Sequence, residues 1–192
     1  MAKKNKIVIG LATQRLVFSK MCFSLVHALK DVPFEWDFLL SMACDIVSSR
    51  TNLVRMAKEQ NATHLCFVDY DMAFYPDRNG KSPITALLEE DKDIIGAAYN
   101  RRKEPIESTA TPKEGEDTTK PFKAEVVGAG LMLIKMSVFD KIEPPYFNFG
   151  RNSEGQLVQG EDTFFCRKAI AAGIDVWAHP NLLVKHIGEY EY

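Results

Sequence analysis

Apolar positions along the chain alternate between two periods. Lys6 to Ala12 holds the run Ile7-Val8-Ile9-Gly10-Leu11-Ala12, which reads as a central strand buried on both faces. From about Ser19 to Leu29 the apolar residues Met21, Leu25, Val26 and Leu29 fall at helical spacing. Phe34 to Leu40 alternates again, through Trp36, Phe38 and Leu40, as a second strand. Ser48 to Gln60 predicts a helix with Leu53, Met56 and Ala57 on one face, Ser48 or Ser49 as N-cap and Asn61 where the chain leaves it. The run Leu65-Cys66-Phe67-Val68 is a third strand. Ser82 to Asp91 is a short helix with Pro83 in its first turn, and Asp93 to Tyr99 is a further strand.

This alternation predicts an α/β fold: one Rossmann-like domain over 1–192, with a mostly parallel central sheet and helices on both faces. The stretch 101–122 loses periodicity and is rich in turn residues. It is expected to be mobile, as a lid, a binding loop or a disordered insertion. Beyond it, Ala124 to Lys135 predicts one strand carrying Gly128-Ala129-Gly130, and 147–159 is irregular. Glu161 to Ala172 is a helix closed by Gly173, and Asp175 to Ala178 and Leu182 to Val184 are short final strands. No repeat and no linker divides the chain.

Composition changes this picture little. Hydrophobic residues at 46% and charged residues at 26% are ordinary for a globular protein. A formal net charge of -2 gives no signature of a broad nucleic-acid or membrane surface. No apolar run approaches the roughly 20 residues of a membrane span, and the apolar start is read as a first strand rather than a signal peptide. Cys22, Cys44, Cys66 and Cys166 form no Cys-x-x-Cys pair. Their apolar contexts predict reduced, buried thiols and a cytoplasmic protein. Tyr146, Phe147 and Phe149 are a candidate interface or sugar-stacking platform.

The chemistry concentrates where the third strand ends in Asp69-Tyr70-Asp71. In an extended segment Asp69 and Asp71 share a side, and two adjacent carboxylates repel unless a cation or a shared proton lies between them. Oxygen ligands at the mouth of such a sheet suit Mg²⁺ or Mn²⁺; the plain alternative is a polar turn. Gly160-Glu161-Asp162 opens a helix. Its acids either favour the helix dipole or place a carboxylate in a cleft as a general base. His186 in Val184-Lys185-His186-Ile187-Gly188 is either structural or a third metal ligand; His27, His64 and His179 are read as structural. Ser49-Arg50-Thr51-Asn52 at a helix start is either solvated or a contact for nucleotide base or phosphate, and Arg101-Arg102-Lys103 is open in the same way.

Taken in order, the opening strand ending in Ala12-Thr13, SSRTNLVRMAKEQNATHLCFVDYDM, IIGAAYNRRKEP, VVGAGLMLIKMSVF, GEDTFFCRKAIAAG and VKHIG resemble a GT-A glycosyltransferase of the family-2-like kind. The match spans nearly all of the chain outside 104–122, and its compactness is reminiscent of small phage or viral versions. The resemblance implies a metal-dependent transferase moving a sugar from a nucleotide-sugar donor, a UDP- or GDP-sugar, to an acceptor hydroxyl that the sequence leaves open. It implies Mn²⁺ or Mg²⁺ on Asp71, Asp69 and His186, with Asp69 also contacting ribose. Thr13 and Arg50 would lie by the donor nucleotide. Gly128 and Gly130 would lie under the sugar and acceptor, where side chains would obstruct. Asp162 would be the base of an inverting enzyme, with Glu161 beside it on acceptor or donor sugar.

Two other readings compete. A sugar-nucleotide nucleotidyltransferase would use the same fold and metal, but Gly10 to Arg15 lacks a Gly-rich phosphate-cradling loop. A non-catalytic nucleotide- or sugar-binding module would have no need to keep Asp69, Asp71, Asp162 and His186 together.

Overall fold

A computed structural model describes residues 5–13, 16–102 and 104–188. Gln14 and Arg15 of the segment after the first strand, and Lys103 of the basic run, lie outside the described residues. The elements are β1 (Lys6–Ala12), α1 (Ser19–Ala28), β2 (Glu35–Ser41), α2 (Ile46–Glu59), β3 (His64–Asp69), β4 (Met72–Tyr75), α3 (Pro83–Glu89), β5 (Ile94–Ala97), β6 (Thr111–Pro112), β7 (Phe122–Val126), β8 (Leu131–Lys135), α4 (Val138–Lys141), β9 (Gly150–Arg151), β10 (Leu157–Gln159), α5 (Glu161–Ala171), β11 (Val176–His179) and β12 (Leu183–His186).

An eight-stranded sheet in the order β2-β1-β3-β8-β5-β11-β7-β6 forms the centre. β1 pairs in parallel with β2 and β3, and β5 with β11; β8 is inserted antiparallel between β3 and β5. The fully buried runs Ile7-Val8-Ile9 and Leu65-Cys66-Phe67-Val68 face helices on both sides. On one face they meet Leu53, Val54 and Ala57 of α2 and Phe165, Cys166 and Ala169 of α5. On the other they meet Met21 and Leu25 of α1 and Ile84 and Leu87 of α3. This is the layered α/β architecture that the alternating periods predict.

Several local expectations change. The stretch read as one strand over 124–135 is two, β7 and β8, which pair with different neighbours. Asp45, not Ser48 or Ser49, caps α2: its Oδ1 accepts from Ser48 N–H at 2.8 Å. Val26 points to solvent although it fits the helical spacing. The stretch 101–122 contributes β6 to the sheet edge, and its start is fixed by Arg101 N–H donating to Glu107 O at 2.8 Å and Thr109 N–H to Tyr99 O at 2.8 Å. Cys66 and Cys166 are buried but Cys22 and Cys44 are exposed, one on the outer side of α1 and the other before α2. Phe147 is no platform: it is fully buried, stacked on Phe165 and edge-on to Phe67.

Candidate functional site

The ends of β1, β3 and β5 at one rim of the sheet, the end of β12 in a separate two-stranded sheet with β4, and the start of α5 surround a cleft of about 770 Å³. In open α/β sheets this is where ligands bind. Thr13, Arg50, Asp69, Asp71, Glu161, Asp162 and His186 all line it.

The Asp69-Tyr70-Asp71 turn is held by its own backbone. Asp69 N–H donates to Gly130 O at 3.2 Å, and Ile187 N–H donates to Asp71 O at 2.6 Å. The chain then continues directly into β4, which the sequence reading does not contain. β4 pairs antiparallel with β12 so that His186 stands opposite Met72. That register carries His186 to Asp71 across a long separation in sequence. His186 Nε2 lies 3.5 Å from Asp71 Oδ2. Its Nδ1 lies 3.3 Å from Asn100 O. A carbonyl only accepts, so that bond requires the proton on Nδ1 and turns Nε2 toward the carboxylate.

Each aspartate of the turn has an arginine. Arg102 Nη2 lies 2.9 Å from Asp71 Oδ2, and Arg50 Nη2 lies 3.2 Å from Asp69 Oδ1. Arg50 also reaches Glu161 Oε1 at 3.3 Å, and its guanidinium sits 5.3 Å above the Phe67 ring. It is only 3% exposed, and among the described residues its Nε and Nη1 have no hydrogen-bond partner. The neighbouring carboxylates Asp69, Glu161 and Asp162 keep it charged against the cost of burial. Burial pushes both Asp69 and Glu161 above the usual carboxylate range, with Arg50 opposing the shift. Arg50 therefore sits in the wall beneath the carboxylates. Thr13, also buried, spends its hydroxyl on Leu16 O at 3.1 Å.

Asp162 lies in the first turn of α5, after an N-cap Gly160 that has no side chain to offer the helix. Its Oδ1 accepts from Thr163 N–H at 2.6 Å, which fixes the carboxylate at the cleft wall.

Gly128 and Gly130 do not line the cleft, whereas Ala129 does. The close approach that demands glycine is that of Tyr99. A Cβ at Gly128 would lie 2.7 Å from Tyr99 Oη, and one at Gly130 2.8 Å from Tyr99 Cζ. Gly130 N–H donates to that hydroxyl at 2.9 Å, and the Tyr99 ring stands edge-on to His186 at 5.5 Å. Burial raises the phenol's pKa. Sequence reasoning missed Tyr99, although it ends an apolar run just before charge, the same signature that marks Asp69.

Asp71 and His186 present a carboxylate oxygen and an oriented imidazole nitrogen at one point, the donor pair of a hard or borderline divalent cation. Among the described residues no three His, Cys, Asp or Glu side chains converge closely enough to enclose an ion. The arrangement fits the mode in which one or two side chains share the ion with water and substrate phosphates.

The sequence matches no protein-family profile and no curated protein. Solved structures share its fold. A197 from STIV aligns over 96% of this chain and 86% of its own, with a TM-score of 0.62 and 17% identity. An apo UDP-glucose pyrophosphorylase aligns over 93% and 90%, with a TM-score of 0.57 and 7% identity. The UDP-glucose pyrophosphorylase complexed with UDP-glucose gives a TM-score of 0.56 at 7% identity over the same shares. At these identities the likeness is one of fold, a fold that handles nucleotide sugars in the pyrophosphorylase. Among the described residues no helix is long and apolar enough to cross a membrane.

Proposed function

We propose that this chain is a metal-dependent glycosyltransferase that moves a sugar from a nucleotide-sugar donor to an acceptor hydroxyl with inversion. The observation that carries the reading is Asp162. It stands at the wall of the cleft that also holds Asp71 and His186, and among the described residues no cation forms an ion pair with it. Nucleotidyl transfer from a nucleoside triphosphate to a sugar phosphate needs no base, because its nucleophile is already an anion. A sugar hydroxyl does need one.

Asp162 takes the acceptor proton as the hydroxyl oxygen bonds to the anomeric carbon. The bond from that carbon to the diphosphate oxygen breaks with its electron pair, and the nucleoside diphosphate leaves. Mn²⁺ or Mg²⁺ would be held by Asp71 and His186, with Asp69 nearby. Bound there, it would supply positive charge for the leaving diphosphate. Arg102, on Asp71 Oδ2, and Arg101, on the same cleft, are placed to meet phosphate oxygens. Thr13 lines the nucleotide side. Arg50 serves the donor through Asp69 and Glu161, whose carboxylates it holds in place.

The test is to incubate the protein with UDP- and GDP-sugars and Mn²⁺ and follow release of nucleoside diphosphate. A parallel reaction holds a nucleoside triphosphate and a sugar 1-phosphate, with pyrophosphate as readout. Nucleoside diphosphate release supports glycosyl transfer. Pyrophosphate release alone replaces it with the nucleotidyltransferase reading, which the fold likeness to the pyrophosphorylases favours. Metal-dependent nucleotide binding without either product assigns a binding module.

A further inference from the structure

The two edges of the central sheet are finished in opposite ways. β6 at one edge has two residues, Thr111 and Pro112, with an irregular register. A short edge strand with proline and a shifted register is a standard defence against pairing with another chain. β2 at the other edge has seven residues in unbroken register with β1, and it contains no proline, lysine or arginine. Its Trp36, Phe38 and Leu40 lie opposite Ile7, Ile9 and Leu11 and point to the same sheet face. The β1 residues are buried there, but Trp36, Phe38 and Leu40 remain 45%, 44% and 45% exposed, with Met42 beyond them at 60%. Such a strand is a template for pairing.

The backbone agrees with the side chains. Glu35 N–H donates to Asn5 O, and Ser41 O accepts from Thr13 N–H, so the odd residues of β2 turn their polar groups toward β1. Trp36, Phe38 and Leu40 therefore turn theirs outward. We propose that β2 is a homodimer interface, in which a second copy of the chain pairs antiparallel with it about a two-fold axis at Phe38.

The strand is self-complementary in that register. Phe38 meets Phe38 of the other copy, and Trp36 meets Leu40 on either side, so the apolar row faces an apolar row. Each of these three residues donates one backbone hydrogen bond and accepts one. Glu35 falls opposite Ser41 and Asp37 opposite Leu39, so no acid stands directly across from another. Asp37 is already neutralised by Lys6 Nζ at 3.0 Å. The assembly is a closed, isologous dimer with one continuous sheet. It rests on the edge geometry alone and stands or falls apart from the catalytic reading.

The test is sedimentation of the whole chain over about a hundredfold range of concentration. It is joined by crosslinking of Phe38→Cys and Glu35→Cys in a Cys22→Ser, Cys44→Ser background. The dimer mass is expected for wild type and the monomer mass for Phe38→Lys, whose half-exposed site admits the charge in a folded monomer, checked by circular dichroism; its melting temperature should equal that of dilute wild type and no longer rise with concentration. In the proposed register the two Phe38 Cα atoms lie about 5.5 Å apart, within disulfide reach, whereas the two Glu35 residues are offset by roughly 20 Å. Phe38→Cys should crosslink under mild oxidation and Glu35→Cys should not. A wild-type monomer throughout overturns the proposal. So does a dimer that survives Phe38→Lys, or one that fails to crosslink through Phe38→Cys.

Discussion

Strand β3 is polar at both ends, and the two ends are finished differently. At its start Thr63 Oγ1 accepts from Lys6 N–H at 3.0 Å and lies 2.9 Å from His64 Nδ1. Lys6 Nζ donates to Gln60 O at 3.1 Å, and Met136 N–H donates to Thr63 O at 2.9 Å. Apart from Gln60 Oε1, these polar atoms are closed into short local pairs. At the other end Asp69, Glu161 and Asp162 crowd one buried guanidinium, two of whose nitrogens have no hydrogen-bond partner among the described residues. Polar groups that hold a fold are satisfied by it. A rim that buries charge and leaves donors unused keeps an electrostatic cost that a ligand can relieve.

The sharpest way to break the comparison is at the open end. Asp162→Asn keeps the shape and a side-chain oxygen for Thr163 N–H but removes the base. Transfer should fall by about 10²–10⁴-fold, with nucleotide binding in the presence of Mn²⁺ unchanged. Initial rates and thermal shifts read the two quantities separately, and near-wild-type transfer would take Asp162 out of the role. Next in size is Arg50→Ala. It strips Asp69 and Glu161 of their shared cation and should cost about 3–5 kcal/mol in urea unfolding, because buried carboxylates are left uncompensated. Arg50→Lys should recover only part, since one ammonium cannot reproduce the planar fork lying over Phe67. A loss below about 1 kcal/mol would class the pair with surface ion pairs.

Most of the fold is legible in the sequence because it rests on burial periodicity. Ile7 to Ala12, Leu65 to Val68 and the apolar faces of α1, α2 and α5 announce themselves. The site residues are legible as types: of the nine that the resemblance implies, Thr13, Arg50, Asp69, Asp71, Glu161, Asp162 and His186 line one cleft, and Gly128 and Gly130 do not. What the sequence hides is pairing across distance. Nothing local tells that Met72 to Tyr75 is a strand paired with β12, yet that ladder brings His186 to Asp71. The resemblance implies a ligand over Gly128 and Gly130, because their neighbour Tyr99, about thirty residues away, cannot be inferred from Gly128-Ala129-Gly130. The arginines illustrate the same limit. An Asp-x-Asp motif calls for positive charge, but only the fold shows that Arg50 and Arg102 already supply some of it.

The closed end supplies the third prediction. Burial, with Lys135 nearby, lowers His64 from its ordinary 6.5 to about 4. Below pH 6.5 the unfolded chain binds a proton that the folded chain refuses. Stability is therefore lost as pH falls from about 6.5 to about 4, by up to about 3 kcal/mol, and the loss levels off below that. His64→Gln should flatten unfolding free energy over this window while leaving nucleotide binding untouched. An unchanged pH slope would mean that other groups carry it.

The smallest effect separates the two arginines of the open end. Arg102 is 40% exposed on its side chain where Arg50 is 4%. Arg102→Ala should cost less than about 1 kcal/mol of stability, the range of an ion pair open to water. Its effect should appear instead in metal affinity, because the guanidinium sits on Asp71 Oδ2, the oxygen that His186 Nε2 also faces. Removing this competing cation should tighten Mn²⁺ binding in the absence of nucleotide by up to about fivefold, equivalent to about 1 kcal/mol, read by titration of free Mn²⁺. The same variant should weaken donor binding if Arg102 passes from Asp71 to the diphosphate. Tighter metal with weaker donor makes Arg102 the exchangeable charge of the rim and Arg50 the fixed one. Weaker metal binding would instead make Arg102 part of what holds Asp71 in position.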